Sequence, residues 1–392
     1  MGYLTEYLNR NMTFEQVTAE RKDQLRTIAR ARGGRDVLVY AADLNKTQVP
    51  TQLDYSDLLP VSDQLADLRG QAIDVILETP GGLAEVADEV VRRVRERYAD
   101  VAYIVPGWAK SAGTIMVMSG DDILMGRPSA VGPIGAQLFW QGRLFSAEAF
   151  LQGFDKIAKE AATGLNRAYI PILQALSPGD LQAAQNALDF AQTLVTDWLT
   201  RYKFRTWVVH ARSGAPVTHR QRRLRARRIA RTLCSHRKWL SHGRSLKIHD
   251  LREMGLQVTD FDQTPALAEA IGRYYALLQI TFQTTVGRNI YKVIETAVGE
   301  IYRQAIPGGP TPPGVAPSGS GPTAANVDVR CPKCGGSERL QANLGSPAPL
   351  LEGARPFPED GQYRCPQCGT RQDLTPVKRQ IEAQTGQQIA PS

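Results

Sequence analysis

Several things are scarce in this 392-residue chain, and each scarcity excludes something. Its most apolar window, residues 101–118, is broken by Pro106, Gly107 and Lys110, and no basic patch near the start precedes an apolar run. Neither a membrane span nor an export signal is expected, which points to the cytoplasm. There is no Gly-x-x-x-x-Gly-Lys-Ser/Thr run, hence no phosphate loop of the ATPase kind. Histidine is absent before residue 210. Cysteine is rare, and four of the five fall in two Cys-x-x-Cys pairs, a pattern that without export suggests metal rather than disulfides.

Acidic residues are missing from one segment. Residues 201–252 hold 16 Lys and Arg against the single acid Asp250, a local charge of +15, while the rest of the chain carries −7. All five histidines (210, 219, 236, 242 and 249) lie in that same segment. From Thr218 to Leu256 arginines surround a narrow apolar stripe of Ala226, Ile229, Ala230 and Leu233. Such a surface suits nucleic-acid phosphates, an acidic partner within an oligomer, or a role facing substrate. The fifth cysteine, Cys234, reads as a buried apolar residue.

What is present describes a folded, soluble chain: 42% hydrophobic and 22% charged residues sit near globular averages. Thr13 and Gln16 form a capping box for a helix ending at Gly33-Gly34. Apolar runs of strand length follow at 36–42, 72–79, 101–106 and 121–126, with helical periodicity between them. Alternation of this kind predicts an α/β fold with a mostly parallel sheet. The pattern turns helical from 147 to 202, and a long helix is expected over 264–305. Residues 307–328, rich in Pro and Gly, read as a linker.

Cys331-Pro-Lys-Cys334-Gly and Cys365-Pro-Gln-Cys368-Gly form two knuckles whose four thiolates can close a tetrahedral site. A zinc ribbon with one structural Zn2+ is expected there, and ribbons contact nucleic acid or protein.

The order strand, Thr79-Pro80-Gly81-Gly82, helix, strand, Lys110-Ser111-Ala112-Gly113-Thr114, then Val131-Gly-Pro-Ile-Gly-Ala-Gln137 resembles the Clp protease and crotonase superfamily. Within it the chain is most similar to the signal peptide peptidase A branch and its soluble serine dehydrogenase proteinases. The resemblance covers roughly residues 30–260 and implies peptide-bond hydrolysis, a homo-oligomer, and Ser111 as nucleophile. A serine at a helix N-terminus stands among unpaired amides, and small neighbours leave room for a carbonyl. Gly81, Gly82 and the amide of Ala112 would form the oxyanion hole.

Clp proteases take their base from a histidine on the strand after the nucleophile helix, where this chain has none. The signal peptide peptidase A branch uses a lysine instead, which implies Lys156 as first choice and Lys159, one turn on, as second. Lys110, next to the nucleophile, is disfavoured because adjacent side chains diverge. Relatives carry an acid in the Gly-Pro-Ile segment where this chain has Gly135, so any orienting role of that acid is absent.

The expected organisation is an N-terminal helix (1–35), a peptidase domain (36–262), a long helix suited to oligomerisation (263–306), the linker (307–328) and a zinc ribbon with tail (329–392). Two rivals remain at this level. One is a crotonase-type acyl-CoA enzyme, which needs the amides but no serine dyad. The other is a nucleic-acid-binding ribbon protein with a degenerate peptidase body.

Overall fold

The structure is a computed structural model that describes residues 2–389 apart from 47, 141–142, 165, 212, 284–288, 306–323, 345–348, 352 and 386–388, with side chains also undescribed at 137–145 and 383–385. It divides into two units, Met1–Pro310 and Thr311–Ser392.

The first unit opens with α1 (Tyr3–Asn9) and α2 (Phe14–Ala31), the latter begun by the Thr13–Gln16 capping box and stopped where Gly33 and Gly34 adopt positive φ. Then come β1 (Asp36–Ala42), α3 (Leu58–Ala66), β2 (Ala72–Glu78), α4 (Ala84–Arg97), β3 (Asp100–Val105), β4 (Trp108–Ala109) and α5 (Ala112–Val117). They are followed by β5 (Asp122–Met125), β6 (Ala130–Val131), β7 (Gln137–Trp140), β8 (Arg143–Ser146), α6 (Ala147–Ala161), α7 (Ile170–Gln174) and α8 (Pro178–Trp198). The basic segment supplies α9 (His219–Leu233), α10 (His236–Trp239) and α11 (Ile248–Glu253); β9 (Thr259–Asp260), α12 (Pro265–Gln283), β10 (Ile290–Glu295) and β11 (Glu300–Gln304) complete the unit.

Seven strands form one sheet in the order β11-β10-β1-β2-β3-β5-β9. The run β1 through β9 is parallel, and the β10–β11 hairpin adds antiparallel strands at the β1 edge. Both faces are covered, which is why the parallel strands read as unbroken apolar runs. Leu38, Val75, Tyr103 and Ile123 point into a core shared with α3, α4, α5, α8 and α9; Val39, Ile76, Ile104 and Leu124 point into a second core under α2 and α12.

The expected helix over 264–305 is corrected: α12 is Pro265–Gln283, and 290–304 is the edge hairpin, turned at Val298-Gly299. Alternating Ile290, Lys292 and Ile294 against Tyr291, Val293 and Glu295 suits a strand, and pairing with β1 satisfies its backbone. The fold of the first unit therefore runs from α1 to β11 rather than 36–262. The inner face of α12 packs on α1 and α2 and is not free for assembly.

Polar groups in these cores are paired. The Arg21 guanidinium donates to Glu295 at 2.9 Å twice and to Tyr302 at 2.6 Å, and Tyr274 donates to the same carboxylate at 2.7 Å. On the other face Lys292 donates to Asp57 Oδ2 at 2.8 Å and to the Gln52 carbonyl at 2.6 Å, which pins the loop before α3.

In the second unit, β12 (Ala324–Arg330), β13 (Ser337–Asn343) and β14 (Ala354–Pro356) form one sheet, β15 (Gln362–Arg364) and β16 (Arg371–Asp373) another, followed by α13 (Thr375–Thr385). Of the expected linker, 307–323 lies outside the described residues, and 324–328 is strand because Ala324–Arg330 pairs along its whole length with Ser337–Asn343.

Candidate active site

A second, smaller layer of extended chain forms beyond the C-terminal ends of β2, β3 and β5, the end of an open parallel sheet where ligands bind. Five segments lie side by side in it. Leu53 bridges Gly82, Thr79 bridges Ala109, Trp108–Ala109 pairs with Ala130–Val131, and Val131 pairs antiparallel with Leu246. Continued in that register, Gly135 meets His242. The histidine-bearing part of the basic segment is thus the outer strand of this layer.

Ser111 sits in the middle segment, between β4 and α5. Its backbone has φ 49° and ψ −113°, a conformation costly for a residue with a side chain and typical of functional turns. A serine here is ordinarily an N-cap, yet this one makes no side-chain cap bond, so its hydroxyl is not spent on the helix. Thr114 holds the turn in place: Gly132 N donates to its Oγ1 at 3.0 Å, and that hydroxyl lies 2.8 Å from the Ala109 carbonyl.

The glycines are needed for contact. A Cβ on Gly81 would lie 2.7 Å from Ser111 Cβ, and one on Gly82 would lie 2.3 Å from the Leu53 carbonyl oxygen; their φ values are 104° and 149°. Of the three amides expected in the hole, that of Gly81 donates to Thr79 Oγ1 at 3.1 Å. The amides of Gly82 and Ala112 donate to no acceptor among the described residues. Two unclaimed donors beside a serine hydroxyl are what a developing oxyanion requires.

Two buried groups brace this layer from below, and neither was found from the sequence. Glu78, the last residue of β2, accepts from Trp108 N at 2.7 Å and from the Tyr275 hydroxyl at 3.0 Å. Burial pushes its carboxyl up to about 7. Lys292 fixes the loop that presses Leu53 onto Gly82. Only the place of Glu78, an acid ending an apolar strand directly before Thr-Pro-Gly-Gly, could have signalled it.

The candidate bases fall in different surroundings. Lys156 is 74% exposed and stands 4.0 Å from Glu160, and Lys159 is exposed too. Ala147, Phe150 and Leu151 turn the apolar face of α6 onto Ala184 and Leu188 of α8, which leaves both lysines in water. Lys110 is buried, and its ammonium donates to the carbonyls of Gly243 (3.3 Å) and Arg244 (3.2 Å) and to Ser245 Oγ (3.1 Å). Burial, reinforced by the Lys247 charge, lowers its pKa. His242 is half-buried, and its Nδ1 lies 2.7 Å from where a Cβ on Gly135 would be. Burial, then the charges of Lys110 and His236, lower its pKa. Cys234 is buried, which pushes its thiol up to about 12.

In the second unit the thiolates of Cys331, Cys334, Cys365 and Cys368 lie within 4.8 Å of one another. Cys331 Sγ is 3.5 Å from Cys368 Sγ, and Cys334 Sγ is 3.7 Å from Cys365 Sγ. Sulfurs around a tetrahedral ion with bonds of ~2.3 Å stand ~3.8 Å apart, so the four fit a metal ion. Among the described residues no helix is long and apolar enough to cross a membrane.

Two uncharacterized proteins of Methanocaldococcus jannaschii are similar to parts of this chain. One is 30% identical over 88 residues, 22% of this chain and 30% of its own; the other is 34% identical over 70 residues, 18% and 24%. The chain thus spans under a third of the curated relatives it matches. Two solved structures are similar at 15% identity: a 1510-N membrane-bound stomatin-specific protease as a serine variant (54% of this chain, 77% of that one, TM-score 0.30) and as a lysine variant with a substrate peptide (53%, 70%, 0.31). Residues 4–161 match the family described as ClpP-like SDH-type serine proteinase, a span that holds Gly81, Gly82, Ser111, Lys156 and Lys159 and ends before His242. Over that span the chain is similar to the ClpP-like SDH-type serine proteinases.

Proposed function

We propose that the protein is a serine peptidase that hydrolyses peptide bonds through an acyl-enzyme formed on Ser111. The observation that carries this reading is the pair of unclaimed amides, Gly82 and Ala112, flanking a serine whose strained backbone frees its hydroxyl. In the forward step Ser111 Oγ attacks the carbonyl carbon, its proton passes to a base, and the oxyanion takes hydrogen bonds from the two amides. The base then returns the proton to the leaving amine, and water releases the acyl group by the same route.

His242 is the base that the local chemistry favours. It belongs to the site layer, and its lowered pKa keeps the imidazole neutral and able to accept a proton near pH 7. Lys110 anchors residues 243–245 of the same strand and so holds His242 in register. The Ser111–Lys156 dyad, with Lys159 as second choice, is the alternative, and it requires α6 to bring an amine out of water against the serine. An assembly of several copies in the cytoplasm and a structural Zn2+ on the four cysteines complete the reading.

Fluorophosphonate labelling tests it. Wild type is expected to label and Ser111→Ala not to; unchanged labelling of Ser111→Ala would overturn the nucleophile. Loss in His242→Asn with retention in Lys156→Ala and Lys159→Ala is expected, and the reverse pattern establishes the lysine dyad. Hydrolysis of acyl-CoA thioesters without peptide cleavage would move the protein to the crotonase-type chemistry.

A further inference from the structure

On the far side of α10 from the site layer lies an open concavity of about 410 Å3, formed with α9. Arg227, Arg228, Arg231 and Lys238 converge on it. Among the described residues none of these four cations is paired with a carboxylate, whereas Arg223 on the same helix bonds Asp197 at 2.8 Å. Four like charges gathered in a hollow repel one another, which counts against the fold unless an anion is recruited. The hollow also contains Leu224, 58% exposed, so its floor is partly apolar.

We infer that this concavity docks acidic segments of the polypeptide substrate. The inference rests on the peptidase reading above. Arginines one helical turn apart stand ~5–6 Å from each other, and alternate carboxylates on an extended peptide repeat at ~6.6 Å, so the two rows match. Each guanidinium can take a carboxylate through two parallel hydrogen bonds. A peptide is favoured over a nucleic-acid strand because no aromatic residue is among the described residues that line the hollow, and Trp239, next to Lys238, is buried. Position favours it too. Lys238 and Ser235 face the concavity while His236, Trp239 and His242 of the same turn face the cleft at Gly135. Lys238 is four positions from His242, a span of at most ~14 Å, or about four residues of bound peptide.

The test uses the full chain carrying Ser111→Ala and fluorescein-labelled peptides that alternate Glu with Leu, with Gln-for-Glu peptides as controls. Anisotropy is expected to show binding of the Glu peptide at least about tenfold tighter than the Gln peptide, an advantage that fades as salt rises from ~50 to ~500 mM. Arg227→Gln with Arg231→Gln should remove that advantage, and Arg223→Gln should change it little. Equal binding of the two peptides, or no effect of the double substitution in protein whose thermal unfolding is unchanged, overturns the proposal. Displacement of the peptide by a duplex of equal charge, bound more tightly, overturns it in favour of nucleic acid. Because no turnover is needed, Glu-selective binding by a protein whose wild type never labels with fluorophosphonate leaves the docking site standing and removes the peptidase.

Discussion

The two units are held together by different means. In the first, a seven-stranded sheet is buried on both faces, and polar groups such as Arg21 and Glu295 enter the core only as hydrogen-bonded pairs. In the second, the core among the described residues has ten buried residues, two of which are metal-ligating candidates, and three of its five strands are only three residues long. A chain segment of about 80 residues with so small a core needs a staple. The first unit can therefore store strain, as Ser111 does, while the second has no surplus to spend.

The largest effect that would break this comparison is metal removal. A chelator, or Cys365→Ala, is expected to unfold the second unit entirely, since closed thiolate sites contribute folding free energy directly. Limited proteolysis should then degrade residues beyond about 324 while the first unit stays intact and still labels at Ser111. Survival of both units would mean that the small core suffices.

Within the first unit, strain should be local and costly to add. Gly82→Ala places a methyl against the Leu53 backbone, so destabilisation of ~2–4 kcal/mol and loss of labelling are expected in urea unfolding and fluorophosphonate assays. Glu78 sharpens the point through pH. Its folded pKa, about 7, lies above the ordinary value of 4.5, so its contribution is fully present below pH ~4.5 and is lost as pH rises through about 7. Wild type should lose up to ~3 kcal/mol relative to Glu78→Gln between pH 5 and 8, measured as urea midpoints. Parallel curves for the two proteins would show that the carboxylate is solvated.

The parts that could be read in advance are those fixed locally. Val37–Ala42 and Ile73–Leu77 announce two-sided strands, Thr13–Gln16 a helix start, and the paired knuckles a four-thiolate cluster. What escaped depends on pairing between distant segments. Residues 290–304 look like the continuation of a helix until β1 is there to receive them. His242 looks like one more charge in a basic stretch until Val131 sets the register that carries it to Gly135. The amides proposed to hold the oxyanion show the same limit: glycines at 81 and 82 are visible, but which amide Thr79 takes is decided by the folded turn.

The smallest expected effect concerns the lysines of α6, and it bears most directly on how the site works. Lys156 is largely solvated and its contact with Glu160 is a surface pair, so Lys156→Ala should change stability by less than ~0.5 kcal/mol in urea unfolding. If His242 is the base, hydrolysis by this variant should match wild type, with kcat/KM constant above pH 7 and falling on the acid side as the imidazole is protonated below its ordinary 6.5. A lysine base predicts a different curve, rising into the alkaline range as the ammonium loses its proton, and abolished by Lys156→Ala or Lys159→Ala at unchanged stability. That second curve would mean that α6 leaves α8 during the reaction, and that the strain at Ser111 is matched by a movable element rather than a fixed layer.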